Sequence, residues 1–224
     1  MDIKELSISV IIPAYNEANH IETVLSRLPD FKQVIIVDDG SQDNTGNICR
    51  NLGYTVITHQ LNQGKTQACI TGASHATEEW CFFLDADGQL FPEDLLKMIP
   101  FCQDNDVIVG QRSIKEIPPV RKTANFLMAT AINILYHSKF TDVQSGLRGI
   151  RRKQLLEMKF TGNRYQFEIE VLMKALEAGL RIATIPIEVS YQGGSRMPFK
   201  SALGNVRWFL GYAAGYVGRK LFSR

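Results

Sequence analysis

An apolar run beginning at Phe82 ends in two aspartates, Asp85 and Asp87, separated by Ala86 and followed by Gly88 and Gln89. On an extended backbone, side chains two apart point the same way, so a strand stopping here delivers two carboxylates to one edge of a sheet. With no His or Cys beside them, such hard oxygen ligands suit Mg²⁺ or Mn²⁺ carrying a substrate diphosphate. The same pair could also cap a helix or form a turn. Acids follow two earlier apolar runs as well. PAYNE, from Pro13 to Glu17, offers a rigid turn, the aromatic face of Tyr15 and a carboxylate, and VDDGS, from Val37 to Ser41, offers Asp38 or Asp39 to a base or a ribose. Each of these also reads as a plain turn.

The elements that must position these residues alternate. Ile8 to Pro13, Gln33 to Val37, Thr55 to Thr58 and Trp80 to Leu84 read as buried parallel strands, and Val107 to Val109 as a further strand. Helical patterns at Asn19 to Leu28, Thr45 to Leu52, Gly64 to Ala76 and Glu93 to Phe101 separate them. Short connections between alternating strands and helices predict an α/β fold with a mostly parallel sheet covered on both faces. Ligands bind beyond the carboxyl ends of such strands, which is where Tyr15, Glu17, Asp38, Asp39, Asp85 and Asp87 collect. After Ile114 the pattern changes: Asn125 to Tyr136 is an apolar helix, Thr141 to Arg152 a polar stretch, Gln166 to Ala178 a helix and Ile182 to Val189 a strand. Lys200 to Phe222 is a final amphipathic helix, a C-terminal extension of one domain.

Composition narrows the classes. The chain has 224 residues, 45% hydrophobic and 21% charged, enough for one α/β domain with a substantial core, and its formal charge of +2 points to no nucleic-acid partner. From Ser195 onward come Arg196, Lys200, Arg207, Arg219, Lys220 and Arg224 without a single Asp or Glu, which suits an anionic surface. Cys49, Cys69, Cys81 and Cys102 form no metal-like pair and read as buried thiols of a reducing cytosol. The opening MDIKELSISV lacks the shape of a signal peptide, and no stretch reaches the ~18 apolar residues of a membrane span, so the expected place is the cytoplasm, at most peripheral on a membrane. Gly64-Lys65-Thr66 invites a phosphate-loop reading, but His59 stands where that motif needs glycine, and there is no GxGxxG. Lys65 could still touch a phosphate from the start of its helix, or be solvated. The four histidines are not at metal-ligand spacing.

PAYNE, VDDGS, NQGK (Asn62 to Lys65), LDADGQ (Leu84 to Gln89), VGQR (Val109 to Arg112) and TDVQSGLRG (Thr141 to Gly149) occur in that order. The set resembles inverting family-2 glycosyltransferases with the GT-A fold, of the dolichyl- or polyprenyl-phosphate mannose or glucose synthase type. The resemblance implies that Pro13, Tyr15, Glu17, Asp38 or Asp39, Lys65, Asp85, Ala86 and Asp87 hold the nucleotide sugar. It implies that Asp85, Asp87 and Gln89 hold Mg²⁺ or Mn²⁺, and that Arg112, Ser145, Arg148 and Arg196 meet the acceptor phosphate. Asp87, Arg112 and Arg148 would then carry the catalysis. Residues 1–112 would form the donor part and 113–224 the acceptor part, with GDP-mannose or UDP-glucose as donor and a polyprenyl phosphate as acceptor. Departures from the pattern fall mainly on the acceptor side: Met197-Pro198 follows Arg196, and transmembrane hairpins of some relatives are missing; Thr66 stands where many relatives carry Gly.

A phosphate acceptor is already anionic near neutral pH and needs no general base. A saccharide hydroxyl would need one, with Asp142, Glu168 and Glu170 as candidates, each more easily read as a capping or surface acid. A nucleotidyltransferase or an inactive nucleotide-binding module are the readings from other classes. Along the last helix, Leu203, Val206, Leu210, Ala214, Val217 and Leu221 form an apolar stripe, and Trp208, Phe209, Tyr212 and Tyr216 another side. That pattern fits a membrane surface, the protein's own core or another subunit of an oligomer.

Overall fold

The computed structural model describes residues 6–113, 117, 119–162, 166–191 and 199–222. Its first half alternates as expected: β1 (Ile8–Ala14), α1 (Ile21–Ser26), β2 (Gln33–Asp38), α2 (Thr45–Asn51), β3 (Thr55–Thr58), α3 (Lys65–His75) and β4 (Trp80–Phe83). Pro92–Phe101, expected as an α-helix, is a 3-10 helix. The second half runs β5 (Val107–Arg112), α4 (Pro119–Tyr136), β6 (Arg148–Arg151), α5 (Arg152–Glu157), α6 (Phe167–Glu177), β7 (Ile182–Ile187) and α7 (Phe199–Phe222).

All seven strands share one sheet in the order β3-β2-β1-β4-β6-β5-β7. It is parallel except at β6, which runs antiparallel to both β4 and β5. This strand was not expected: Arg148–Arg151 has two arginines and a glycine, with no apolar alternation. Its place is set by packing, since Gly149 pairs with Phe82 and a β-carbon there would meet the Phe82 ring at 2.7 Å. The reading of Thr55–Thr58 as a buried strand also needs correction. β3 lies at the sheet edge with its two threonines exposed.

Alternation along the strands builds a core on each face. Val10 and Ile12 join Ile36, Phe82, Leu84 and Ile108 on one side, against Ile21, Val24 and Leu25 of α1 and Leu95 and Met98. Ile11, Ile35, Val37, Phe83 and Val109 face the other side, against α3, α4 and α6. α7 docks its aromatic side on this second core: Phe209 is buried, Trp208 and Tyr212 pack beside it, and the Tyr136 and Tyr216 rings stand 4.9 Å apart. Val206 and Leu210 of its aliphatic stripe point outward, Leu210 with 62% exposure. The side chains of Leu203, Val217 and Leu221 lie outside the described residues.

Candidate functional site

At the carboxyl ends of β1 and β2 two loops are tied together by backbone-to-side-chain bonds. Asn16 takes a left-handed conformation (φ 55°), and its Oδ1 accepts the Gln42 N–H at 2.8 Å. The Glu17 N–H donates to Thr45 Oγ1 (2.8 Å) and the Ala18 N–H to Asp43 Oδ2 (3.0 Å). The segment from Gln42 to Thr45 is therefore tied to the PAYNE loop, leaving Tyr15 41% exposed at the cleft.

Asp38 and Asp39 take different places. Asp38 Oδ1 accepts the Ser41 N–H (2.9 Å) and closes the VDDGS turn from beneath, so it does not line the cleft. Asp39 does line it, and it also braces the NQGK loop, accepting the Gln63 and Gly64 N–H groups at 2.8 Å each. His59 holds Asp39 at 2.7 Å from the other side and reaches Thr71 at 3.0 Å. A buried carboxylate with this many partners fixes where Gly64 ends and α3 begins.

The two acids after β4 reach the cleft by a different route from the one expected. The strand ends at Phe83, and Ala86 and Asp87 lie in a turn rather than on extended backbone. Asp87 Oδ1 accepts the Gln89 N–H (3.0 Å) and Gly88 adopts φ 72°, so the turn, not the pleat, brings Asp87 round beside Asp85. Lys65, the first residue of α3, places its ammonium 2.5 Å from Asp85 Oδ1 and 2.5 Å from Glu168 Oε1. Burial works against that charge, but the two carboxylates outweigh it and hold the lysine above its usual pKa. On the far side of Asp85 stands Gly146, with no room between them for a methyl group.

Arg112 and Arg148 are both held by the chain itself. Arg112 lines the cleft and forks onto the fully buried Asp142, Nε to Oδ2 at 2.7 Å and Nη2 to Oδ1 at 3.0 Å, with Nη1 donating to the Tyr191 hydroxyl (3.2 Å). Arg148 is fully buried beneath the cleft and donates to the Val143 carbonyl (2.8 Å) and the Ser145 carbonyl (3.2 Å). Burial pushes its pKa down to about 10 against the opposing pull of Glu168, Asp142 and Asp85. Its Nη1 has no hydrogen-bond partner among the described residues. Ser145 is fully buried too and does not line the cleft. Arg148 and Ser145, expected to meet an acceptor phosphate, are thus both buried off the cleft, Arg148 because it opens the interior strand β6. Arg196 lies outside the described residues.

One cleft of about 320 Å³ brings together Pro13, Tyr15, Glu17, Asp39, Lys65, Asp85, Ala86, Asp87, Gln89 and Arg112. Asn62, Gln144 and Gly146 line it as well, with no role assigned to them from sequence, and so does Glu168, one of the candidate bases for a hydroxyl acceptor. Of the reading of Asp142, Glu168 and Glu170 as capping or surface acids, the surface half is overturned, since all three are buried. Glu170 accepts the Thr161 N–H (2.7 Å) and the Gly162 N–H (2.8 Å), a loop-holding role. Glu168 differs: it stands two residues earlier on α6, about half a turn round the helix, and reaches the cleft. Among the described residues, no three His, Cys, Asp or Glu side chains gather in a metal-holding group. The donor set of Asp85 and Asp87 still fits a hard divalent cation that takes its remaining oxygens from a bound diphosphate and water. The described helices include none long and apolar enough to cross a membrane.

Comparison with known proteins identifies the family and the fold. Residues 9–158 match Glycosyl transferase family 2. The UDP-N-acetylglucosamine–dolichyl-phosphate N-acetylglucosaminyltransferase of Methanococcus voltae is 33% identical over 215 residues, 82% of this chain and 86% of that protein. A dolichyl-phosphate beta-glucosyltransferase of Trichomonas vaginalis is 25% identical over 224 residues, covering 88% of this chain and 69% of that one. In fold the chain is similar to glucosyl-3-phosphoglycerate synthase of Mycobacterium tuberculosis, solved with Mn²⁺, UDP-glucose and phosphoglyceric acid. The TM-score is 0.75 at 18% identity, over 92% of this chain and 79% of that one. With a GT-A-like sheet, paired aspartates at its carboxyl edge and a family match over well more than half its length, the chain belongs to glycosyl transferase family 2 and is a glycosyltransferase.

Proposed function

We propose that the protein transfers a hexose, with inversion, from a nucleoside-diphosphate sugar to a polyprenyl phosphate. The observation that carries this reading is the meeting of Asp85 and Asp87 with Tyr15, Glu17, Lys65 and Arg112 around one cleft. Its volume lies at the low end of the roughly 300–1,000 Å³ usual for ligand sites. The names of the two dolichyl-phosphate relatives support the acceptor.

The roles follow from charge and position. Tyr15 offers its ring to the base, while Asp39 keeps the NQGK loop against the nucleotide. Asp85 and Asp87, with Gln89, would hold Mg²⁺ or Mn²⁺, which when bound neutralises charge building on the departing diphosphate. Lys65 and Arg112 add positive charge around the phosphates. The fork of Arg112 onto Asp142 fixes the guanidinium in one orientation, so little freedom is lost when its outer edge meets an oxyanion. Arg148 contributes as a buried charge beneath the cleft rather than by contact. The acceptor phosphate, anionic near pH 7, attacks without a base. In this reading residues 1–112 serve the donor and 113–224 the acceptor. The outward side chains of Phe126, Leu127 and Ile134 on α4 and of Val206 and Leu210 on α7 lie against the membrane that carries the lipid.

Glu168 in the cleft favours one second reading, transfer to a hydroxyl with Glu168 as base. Lys65 occupies one of its oxygens, which weighs against that role. The two are separated by incubating the protein and Mn²⁺ with labelled GDP-mannose, UDP-glucose or UDP-N-acetylglucosamine, then offering dolichyl phosphate or a panel of saccharides. Label extracted into the lipid phase is expected, and label only on saccharides would refute the lipid acceptor. Asp87→Ala is expected to abolish transfer in a folded protein; full activity in that variant would refute the cation assignment.

A further inference from the structure

We infer that Lys65 is a built-in counterion for Asp85, which keeps a divalent cation from binding alone and makes the cation and the donor diphosphate enter together. The inference rests on the proposed donor site. Its basis is the position of one ammonium, 2.5 Å from Asp85 Oδ1 and 2.5 Å from Glu168 Oε1 in the same cleft.

The backbone of Lys65 cannot follow its side chain. Gly64, immediately before it, is pinned by the 2.8 Å bond from its N–H to Asp39, which His59 holds in turn. Asp85 is confined as well, since Gly146 stands against its carboxylate too closely to admit even a β-carbon. What can move is the four-carbon stem of the lysine, with its three rotatable donors. A divalent ion arriving alone finds one of its two aspartates already neutralised, and no third His, Cys, Asp or Glu among the described residues to complete its shell. To bind, it must displace the ammonium or accept its repulsion across a partly desolvated site. A diphosphate changes both terms. It brings the missing oxygens, and it offers Lys65 a new anionic partner within the same cleft, with Glu168 retained as the other. Cation and nucleotide then strengthen each other's binding, and by linkage the effect is the same in either direction.

The test is a Mn²⁺ titration of the full chain followed by electron paramagnetic resonance, with and without UDP or GDP. Unmodified protein is expected to bind Mn²⁺ weakly alone and firmly with nucleotide. Lys65→Met should bind Mn²⁺ alone about tenfold tighter, within the roughly 5- to 150-fold range of ordinary coupling, with the gain from nucleotide reduced. Lys65→Arg, which keeps the charge, should stay weak. Unchanged affinity in Lys65→Met, or an equal rise in Lys65→Arg, overturns the counterion role. In the unmodified protein, the Lys65 ¹⁵Nζ resonance should hold its position with Mg²⁺ alone and shift with Mg²⁺ plus UDP or GDP; a shift with Mg²⁺ alone also overturns it. That measurement stands even where the neutral variant does not fold. If unmodified protein binds no Mn²⁺ with either nucleotide, the donor-site reading itself falls and the inference with it. Nucleotide-dependent Mn²⁺ binding with no effect of Lys65→Met sinks the inference alone.

Discussion

Gly146 gives the sharpest check on how the aspartates are placed. Its backbone does not need glycine for conformational reasons; it needs the space. A β-carbon built there would lie 2.6 Å from Asp85 Oδ1 and nearer still to the rest of the carboxylate, whereas ordinary contact begins near 3.4 Å. In Gly146→Ala the Asp85 carboxylate must therefore withdraw by at least about 0.8 Å, the difference between those distances. Lys65 is held to that carboxylate at 2.5 Å, so the ion pair shifts with it. Displacements of about 1 Å at reacting groups cost on the order of 100-fold in rate. We expect kcat/KM for transfer to fall by about 100-fold while circular dichroism stays unchanged. Gly204→Ala is the control: nothing lies within 4 Å of its β-carbon, and an alanine in α7 should stabilise the fold by up to about 1 kcal/mol with unchanged transfer. A Gly146→Ala protein that keeps transfer within threefold of the parent would refute the claim that this contact positions Asp85.

Three further outcomes follow from the structure. Asp142→Ala strips the partner from the Arg112 guanidinium at a buried pair, and urea unfolding should show a loss of about 3–5 kcal/mol; a loss under about 1 kcal/mol would mean the pair is solvated. Burial, helped by the nearby Asp38 charge, raises the Cys49 thiol from its ordinary 9.0 to about 11. The unfolded chain then releases this proton before the folded one, so stability falls as pH rises from about 9 to about 11, and Cys49→Ala should flatten that slope in denaturation curves. With the basic C-terminal segment and the exposed apolar side chains of α4 and α7, the protein should co-sediment with anionic vesicles more at low than at high salt. No co-sedimentation at either salt would remove the membrane surface from the proposal.

Much of the molecule is legible without coordinates, because it depends on short-range pattern. Apolar runs broken by turn residues mark β1, β2 and β4, and their carboxyl ends mark where Tyr15, Glu17, Asp39, Asp85 and Asp87 gather. Periodicity failed at β6, where Arg148–Arg151 is buried by its neighbours and not by its own composition. It failed again at the acids. Asp142 and Glu168 look like surface residues in a linear reading, since nothing local announces the arginine 30 positions away or the lysine 103 positions away that each one meets. Asp38 and Asp39 are equivalent by type and adjacent in sequence, yet one closes its own turn and the other braces the loop before α3.

The residue types and their order were enough to say that carboxylates and an aromatic ring would converge at one edge of a sheet, because chain direction and strand alternation impose it. Which cation lines the cleft and which is sealed below was decided only on folding. Charge pairing between distant segments and the exclusion of water by an interior antiparallel strand are properties of the packed chain, and no window of sequence contains them.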